Sequence, residues 1–417
     1  REKKSINVKY VINEGPRVFV ERINISGNVR TLDKVVRREF QLVEGDAFNA
    51  SKLRRSKTRI QNLGFFEKVE IEQVPGSAPD KTIINVNLEE QPTGQITLGA
   101  LGDIRLQGRN FLGRGQNLSL QLQIAAEASQ VDLSFTEPYF LGREISAGFD
   151  VFRTTRDLQD TSSFDLERTG GRLRAGYRIS EYLSESWRYT FRVSDVSDVD
   201  SGASSLIREQ EGEETLSEIG HTIAYDRRDS IIKPTDGYLL KLDTDLAGLG
   251  GSLYHVRNTA KANYFYPLAD QWVIQTKGEF GYIVGLGEDV ALSERFFLGG
   301  EDVRGFATAG LGPRDTATDD ALGGEWMYAA TLALTFPTGL PEELGIGARM
   351  FTDIGSSGSL SPTNSTTVDE DSLRMGIGAG ITWESPFGPL GIDLAYPVLK
   401  EDFDEKEYVR VNFGTRF

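Results

Sequence analysis

The sequence predicts a transmembrane antiparallel β-barrel of about sixteen strands, preceded by a small α+β domain. Three observations lead there. First, the last three-quarters of the chain is a succession of short runs in which apolar and polar residues alternate. The final run places Val409, Val411, Phe413, Thr415 and Phe417 on one face and Arg410, Asn412, Gly414 and Arg416 on the other. Side chains alternate faces along a strand, so each run reads as a strand greasy on one side and wet on the other.

The second observation is aromatic. Trp187, Tyr189 and Phe191 share one face of a run whose other face carries Arg188 and Arg192. A soluble sandwich also packs one face and wets the other, so alternation alone does not decide. A row of exposed aromatics does: on a barrel it meets lipid while the arginines line a lumen. The third is composition. The 417 residues include 45 Gly and 14 Pro, no Cys, and only His221 and His255 as histidines. A disulfide framework and a thiolate metal site are excluded, and a histidine site has little material. A mean hydropathy of −0.33 excludes a helical membrane protein but not a barrel with a polar lumen. The net charge of −16 argues against nucleic acid as a partner.

Residues 1–16, with Ile6, Val8, Tyr10 and Ile12 in alternation, read as the last strand of a preceding module. Residues 17–91 read as a complete one. Val18, Val20, Ile23 and Ile25 form an opening strand that ends at Gly27-Asn28. Thr31 is then expected to cap a short helix over Leu32 to Phe40, with Asp33 at its positive end. Asn49 or Ser51 caps a second helix, with Leu53, Ile60 and Leu63 on one face and Gly64 as the stop. Strands over Phe66–Val74 and Thr82–Leu88 complete a strand–helix–helix–strand–strand order, and Pro92-Thr93-Gly94 leads into the barrel, residues 92–417.

Barrel strands are read at Leu118–Ile124, Val131–Phe135, Leu173–Ile179, Trp187–Val193, Ile223–Asp226, Gly237–Leu246, Tyr254–Tyr266 and Trp272–Val284. Further ones lie at Met327–Phe336, Gly345–Ile354, Leu373–Trp383, Gly391–Tyr396 and Tyr408–Phe417. Glu137-Pro138-Tyr139 and Ser385 to Pro389 suit tight periplasmic turns, whereas the acidic stretches Glu209–Glu214 and Thr366–Ser372 suit outer loops. One connection, near residues 298–322, is long and glycine-rich, and loops of that kind are more often functional than not.

That connection contains Leu298-Gly299-Gly300-Glu301-Asp302-Val303-Arg304-Gly305-Phe306. Val303-Arg304-Gly305-Phe306 resembles the motif of a loop that folds back into the lumen in the outer-membrane assembly and secretion superfamily. The amino-terminal module resembles the POTRA domain that precedes the barrel in these proteins. Arg109 to Gly115, Ser134 to Phe140 and Ser385 to Leu390 resemble the BamA-like family in particular, and the likeness extends over essentially the whole chain. The resemblance implies a non-enzymatic factor of the Gram-negative outer membrane that inserts and folds client β-barrels without nucleotide hydrolysis. It also implies partners: nascent barrel proteins, accessory lipoproteins, periplasmic chaperones, lipid and lipopolysaccharide. A TamA-like or two-partner-secretion translocator is the alternative within the same superfamily, and a passive pore is the bland one. No cofactor or metal is expected.

In the family the loop arginine pairs with acidic side chains of the barrel wall. Asp353 matches that acidic position and shares phase with Arg349, so it is expected to face the lumen and bind Arg304. The family's second acid lies on the preceding strand, where this chain has Ala333, so either the loop is held less tightly or another acid serves. The resemblance also implies a lateral seam between Gln95, Ile96, Thr97, Leu98, Gly99 and Ala100 and the last strand, including Val411, Phe413, Gly414 and Phe417. Gly414 either weakens that strand or is a packing glycine. Gln95–Ala100 is shorter than the roughly 9–11 residues a membrane strand needs. Either the first strand is truncated, or residues that follow Ala100 in the natural chain are missing from the sequence; the second reading is favoured.

Two motifs are weaker. Gly376-x-Gly378-x-Gly380 lies inside a strand pattern with no helix after it, which excludes a dinucleotide loop. Lys52, Arg54, Arg55, Lys57 and Arg59 make a basic helix, read first as a solvated face and otherwise as a docking surface for an acidic partner, with Arg54, Arg55 and Arg59 as its candidates. Acidic loops that bridge through cations to lipopolysaccharide are set below solvated loops.

Overall fold

The computed structural model of the chain describes residues 17–98, 102–125, 127–231, 233–341, 344–385 and 388–413. Residues 1–16, Gly99, Ala100, Gly414 and Phe417, on which several of the expectations above fall, lie outside the described residues. Two compact units are present: one reaches to Gly94 and includes Gly108–Asn117, and the other holds Gln95–Gln107 and everything from Leu118.

The first unit contains β1 (Phe19–Ser26), α1 (Asp33–Arg37), α2 (Ala50–Asn62), β2 (Phe66–Pro75) and β3 (Lys81–Glu90). Its sheet has the order β1-β3-β2, with β1 parallel and β2 antiparallel to β3. The helices close one face over a core of Val20, Ile23, Val35, Val36, Leu42, Ile60, Phe66, Val69, Ile84 and Val86. Each such side chain stabilises the module by about 1.5–3 kcal/mol through burial. Asn49 caps α2, its Oδ1 accepting from Ser51 N at 2.9 Å and Lys52 N at 3.0 Å. Thr31 does not cap α1. Leu32 occupies the cap position without a side-chain bond, because the Thr31 amide donates to Glu90 (2.7 Å) and its hydroxyl accepts from Asn110 of the same unit (2.8 Å). α1 ends at Arg37 rather than Phe40, and tighter turns carry the chain on, with Glu39 N donating to Val36 O (3.1 Å) and Phe40 N to Arg37 O (3.1 Å).

The second unit is a sixteen-stranded antiparallel sheet in which each strand pairs with its sequence neighbours. Its strands are β4 (Gly94–Leu98), β5 (Asp103–Phe111), β6 (Gln116–Ile124), β7 (Ala128–Glu137), β8 (Ile145–Asp157), β9 (Asp165–Arg178), β10 (Leu183–Ser197) and β11 (Gly212–Asp226). They continue with β12 (Gly237–Ala247), β13 (His255–Ala269), β14 (Trp272–Gly285), β15 (Trp326–Pro337), β16 (Ile346–Gly358), β17 (Arg374–Ser385), β18 (Gly388–Leu399) and β19 (Val409–Phe413). Among the described residues no helix is long and apolar enough to cross a membrane, and no pairing joins β4 to β19. The outer face carries the aromatics: Trp187, Tyr189 and Phe191 are 47%, 38% and 48% exposed. Inward side chains pair across strands, as in Arg174–Asp150 (2.9 Å) and Lys261–Glu279 (2.8 Å).

Most strands run longer than the sequence reading, as where Gly212–Asp226 stands for Ile223–Asp226 and Asp165–Arg178 for Leu173–Ile179, and two boundaries show why. The stretch Glu209–Glu214 is not wholly loop, since β11 starts at Gly212; Glu214 turns inward and accepts from Ser293 Oγ at 3.0 Å, so pairing with β10 continues through it. β16 runs on past Ile354 to Gly358, because its small residues Gly355–Gly358 still pair with β15, and Ser357 donates to the Trp326 carbonyl (3.0 Å). β4, with five described residues, remains short of a full span.

Phe191 lies near the middle of β10, on the lipid side. Phe191→Arg is expected to destabilise the barrel by about 2–4 kcal/mol, the cost of a guanidinium at mid-bilayer. Urea titration in lipid vesicles, read by heat-modifiable gel mobility, measures it; an unshifted midpoint would place that face away from lipid.

Candidate functional site

The connection between β14 and β15 is the longest in the sheet, spanning Leu286–Glu325. Backbone pairing fixes its path at three places, and side chains add others, among them Ser204 Oγ to Asp315 (2.7 Å) and Ser162 Oγ to the Ala321 carbonyl (3.0 Å). Phe296 and Leu298 bridge to Gly324 and Leu311, closing the loop on itself. Arg314-Asp315 pairs with Asp320-Ala321 and with Thr367-Val368 of the β16–β17 loop. Gly305-Phe306 pairs with Lys406-Glu407, the segment that leads into β19. This last tie is reinforced by Ala307 N to Glu405 O (3.0 Å) and Glu405 N to Gly310 O (2.8 Å).

The motif sits at the centre of these contacts. Val303 and Phe306 are fully buried, in a cluster with Ile283, Phe296, Leu298, Leu311 and Met327. Arg304 and Asp353 come together: Nε to Oδ2 is 2.7 Å, Nη2 to Oδ1 is 2.9 Å, and the Arg304 amide adds a third bond at 3.1 Å. This bidentate fork, plus a backbone donor, uses both carboxylate oxygens. The guanidinium carbon also lies 3.2 Å from the Phe351 ring centroid, a cation–π contact.

Ala333 faces inward as alternation required, and packs with Phe351 and Ala395. The second acid near Arg304 is instead Asp393, on β18. Its Oδ2 lies 3.7 Å from Arg304 Nη1, and it accepts from Arg349 Nε at 2.9 Å and Nη2 at 2.5 Å. Two guanidinium groups and two carboxylates therefore balance in a largely buried site, with side-chain exposures of 9% for Arg304, 27% for Arg349 and zero for both aspartates.

Strand β17 makes this meeting possible. Three successive inward positions are Gly376, Gly378 and Gly380, so the motif set aside as a nucleotide loop forms a trough between β16 and β18. A Cβ at Gly376 would lie 1.9 Å from the Arg304 carbonyl, and one at Gly380 would lie 1.9 Å from Asp393 Oδ1. Side chains from both neighbouring strands reach across the space that β17 leaves empty. Sequence reasoning missed Asp393, Phe351 and this trough. The available signal was alternation in Leu390-Gly391-Ile392-Asp393-Leu394, which places a lone charge on the inward face.

The other named residues lie elsewhere. Gln95, Ile96 and Thr97 are on β4, and Val411 is on β19, which pairs with β18 from Leu394↔Val409 to Leu390↔Phe413. Arg54 and Arg55 are exposed on α2, whereas Arg59 is half-buried and bonds Glu39 at 3.0 Å.

A sixteen-stranded sheet with a lipid-facing apolar surface, a charged inner face and a loop lodged against that face defines an outer-membrane β-barrel of the kind that carries POTRA domains. The chain belongs to the Omp85 superfamily: the Omp85 superfamily domain matches residues 110–417, and the POTRA model, described as a surface antigen variable number repeat, matches residues 18–91. It is 31% identical over 427 residues to the outer membrane protein assembly factor BamA of Neorickettsia risticii, covering 99% of this chain and 57% of that one. With BamA of Neisseria meningitidis serogroup B it is 28% identical over 467 residues, covering 100% and 59%. The chain thus spans somewhat more than half the length of these curated relatives. The crystal structure of BamA from Haemophilus ducreyi lacking POTRA domains 1–3 shares the fold, with a TM-score of 0.79 at 23% identity over 96% of this chain and 84% of that one.

Removing one partner of a buried ion pair costs about 3–5 kcal/mol, against about 0–1 kcal/mol for an exposed pair, and this site is of the buried kind. Asp353→Asn is expected to free the loop and expose the Arg304–Gly305 bond to trypsin; unchanged resistance would show that the pair does not hold the loop.

Asp315 supplies a pH test. Burial pushes its carboxyl up, but hydrogen bonds from Ser204, Asn364 and Thr366 outweigh that and hold it at about 2. A carboxyl lower in the folded than in the unfolded chain stabilises fully above about pH 4, and the contribution is lost as pH falls toward 2. A spin label at Ala317→Cys should gain mobility over that window, and Asp315→Asn should be mobile already at pH 5.

Proposed function

We propose that the chain is the barrel and adjacent POTRA portion of a factor that inserts and folds outer-membrane proteins, working at a seam between β4 and β19 without nucleotide hydrolysis. The carrying observation is where the lumen loop is tied. Its motif segment, Arg304–Gly310, is tied to β16, β17, β18 and the segment entering β19, the end of the sheet that bears the seam. Its flanks at 292–293 and 315–321 instead bond Gln210, Glu214, Ser204 and Ser162 on the β8–β11 side. A passive pore has no use for Val303–Phe306 packed against its wall. The relatives named above, which are assembly factors, support the same reading.

The mechanism follows from backbone chemistry. An opened seam presents unpaired N–H and C=O groups, which template an incoming strand by β-augmentation. In lipid those groups have no alternative partner, so a client strand that pairs there is driven to complete its own sheet. Nascent barrel proteins are the clients. Periplasmic chaperones and accessory lipoproteins deliver and regulate them, and lipid with lipopolysaccharide forms the surroundings. Arg54 and Arg55 offer cationic contacts for an acidic accessory partner.

The chain has no Cys, so a seam lock is clean to build. With one Cys in Gln95–Leu98 and another in Val409–Asn412, oxidation should stop insertion of a reporter barrel in proteoliposomes and reduction should restore it. Insertion that continues through a fully formed crosslink would remove the seam from the mechanism.

A further inference from the structure

We propose that Asp393 is the positioning residue through which the lumen loop sets the last described strand, β19. Its carboxylate is the point where four elements meet. Arg304 of the loop lies within 3.7 Å, Arg349 of β16 donates two bonds, and Asn412 of β19 donates Nδ2 to Oδ2 at 3.2 Å. Register explains the convergence. Arg349 pairs with Gly380, Gly380 with Asp393, and Asp393 with Arg410, so one row crosses four strands with a glycine in its second place. Gly380 leaves the space that the Asp393 carboxylate fills.

A carboxylate has two oxygens and about four acceptor sites, so its orientation is a compromise among its donors. Oδ1 takes Arg349 Nε. Oδ2 takes Arg349 Nη2 and Asn412 and faces Arg304. With the loop seated, two cations share the carboxylate and hold Oδ2 toward β19. When Arg304 leaves, Arg349 alone neutralises it, and Asn412 loses the geometry on which its bond depends. Asp393 thus converts loop position into the hold on β19. Arg410 of the same strand donates to Thr308 Oγ1 of the loop at 3.2 Å, a second tie on the same side.

Amide hydrogen exchange of the whole chain in lipid nanodiscs separates the links. Asp393→Asn should raise exchange at both 303–308 and 409–413, by about tenfold, as expected for loss of a hydrogen bond to a charged group. Asp353→Asn, which frees the loop, should raise it at 303–308 and, through Asp393, at 409–413, whereas Asn412→Ala should raise it at 409–413 alone. Gly380→Ala, which crowds Asp393 while keeping every charge, should reproduce the Asp393→Asn pattern, and it decides the matter if Asp393→Asn fails to fold. Wild-type exchange at 409–413 in Asp393→Asn and Gly380→Ala, or in Asp353→Asn once exchange at 303–308 has risen, would overturn the proposal. The benefit to insertion rests on the seam reading, but the exchange experiment does not. A seam lock without effect on insertion would leave this coupling standing, and a failed coupling would leave the seam untouched.

Discussion

In hydrocarbon every backbone N–H and C=O must find its partner within the protein, and the rest of this structure depends on that constraint. A chain without membrane-length apolar helices among its described residues meets it by laying sixteen strands side by side, each paired to its sequence neighbours. Neighbour pairing needs only short turns on one side, so long connections are free to serve other purposes. The alternation seen in the sequence is the side-chain consequence. Residues such as Phe191 meet lipid, and their neighbours such as Arg188 and Arg192 cannot, so they turn inward.

Turning charges inward creates a second requirement. A guanidinium or carboxylate held away from bulk water is costly unless it is paired and hydrogen-bonded. The wall satisfies this locally where it can, with Arg174 on Asp150 and Lys261 on Glu279. At β16 to β18 the pairing is completed from outside the wall, by Arg304 of the loop. Without that arginine, Asp393 would keep Arg349, but Asp353 would lose its guanidinium partner. The loop is therefore more than a plug, since its charge completes the balance of the inner face. Val303 and Phe306 add the apolar packing that keeps the site dry, and dryness in turn strengthens the ion pair.

The sequence made the repeating parts legible and left the singular ones hidden. Alternation at Trp187–Val193 and the Asn49 cap are local patterns with one physical meaning each, and the structure carries both. Thr31 shows the limit of a local rule: a good capping residue was diverted because Glu90 and Asn110, distant in sequence, offered its polar groups other partners. Glu214 shows the same at a strand end, where Ser293 turned an acidic run into pairing strand. For the site, the motif and Asp353 were legible through resemblance. Asp393 was not, because its partners come from the loop, β16 and β19, and register between β16, β17 and β18 decides which side chains share a row.

Ala333 and Gly380 are two halves of one arrangement. In the row through Ala333 stands Phe351, whose ring lies under the Arg304 guanidinium. A carboxylate at 333 would compete with that ring for space and would add a third negative charge to a cluster already balanced by Arg304 and Arg349. Moving the second acid to position 393 keeps the balance, but a carboxylate two strands beyond Arg349 reaches it only if the intervening strand offers no side chain. Gly380 meets that condition. The relocation has a structural consequence, because the second acid now stands on the strand that pairs with β19. A charge placed there holds the loop and the last described strand with the same two oxygens, so neither can shift without changing the environment of the other.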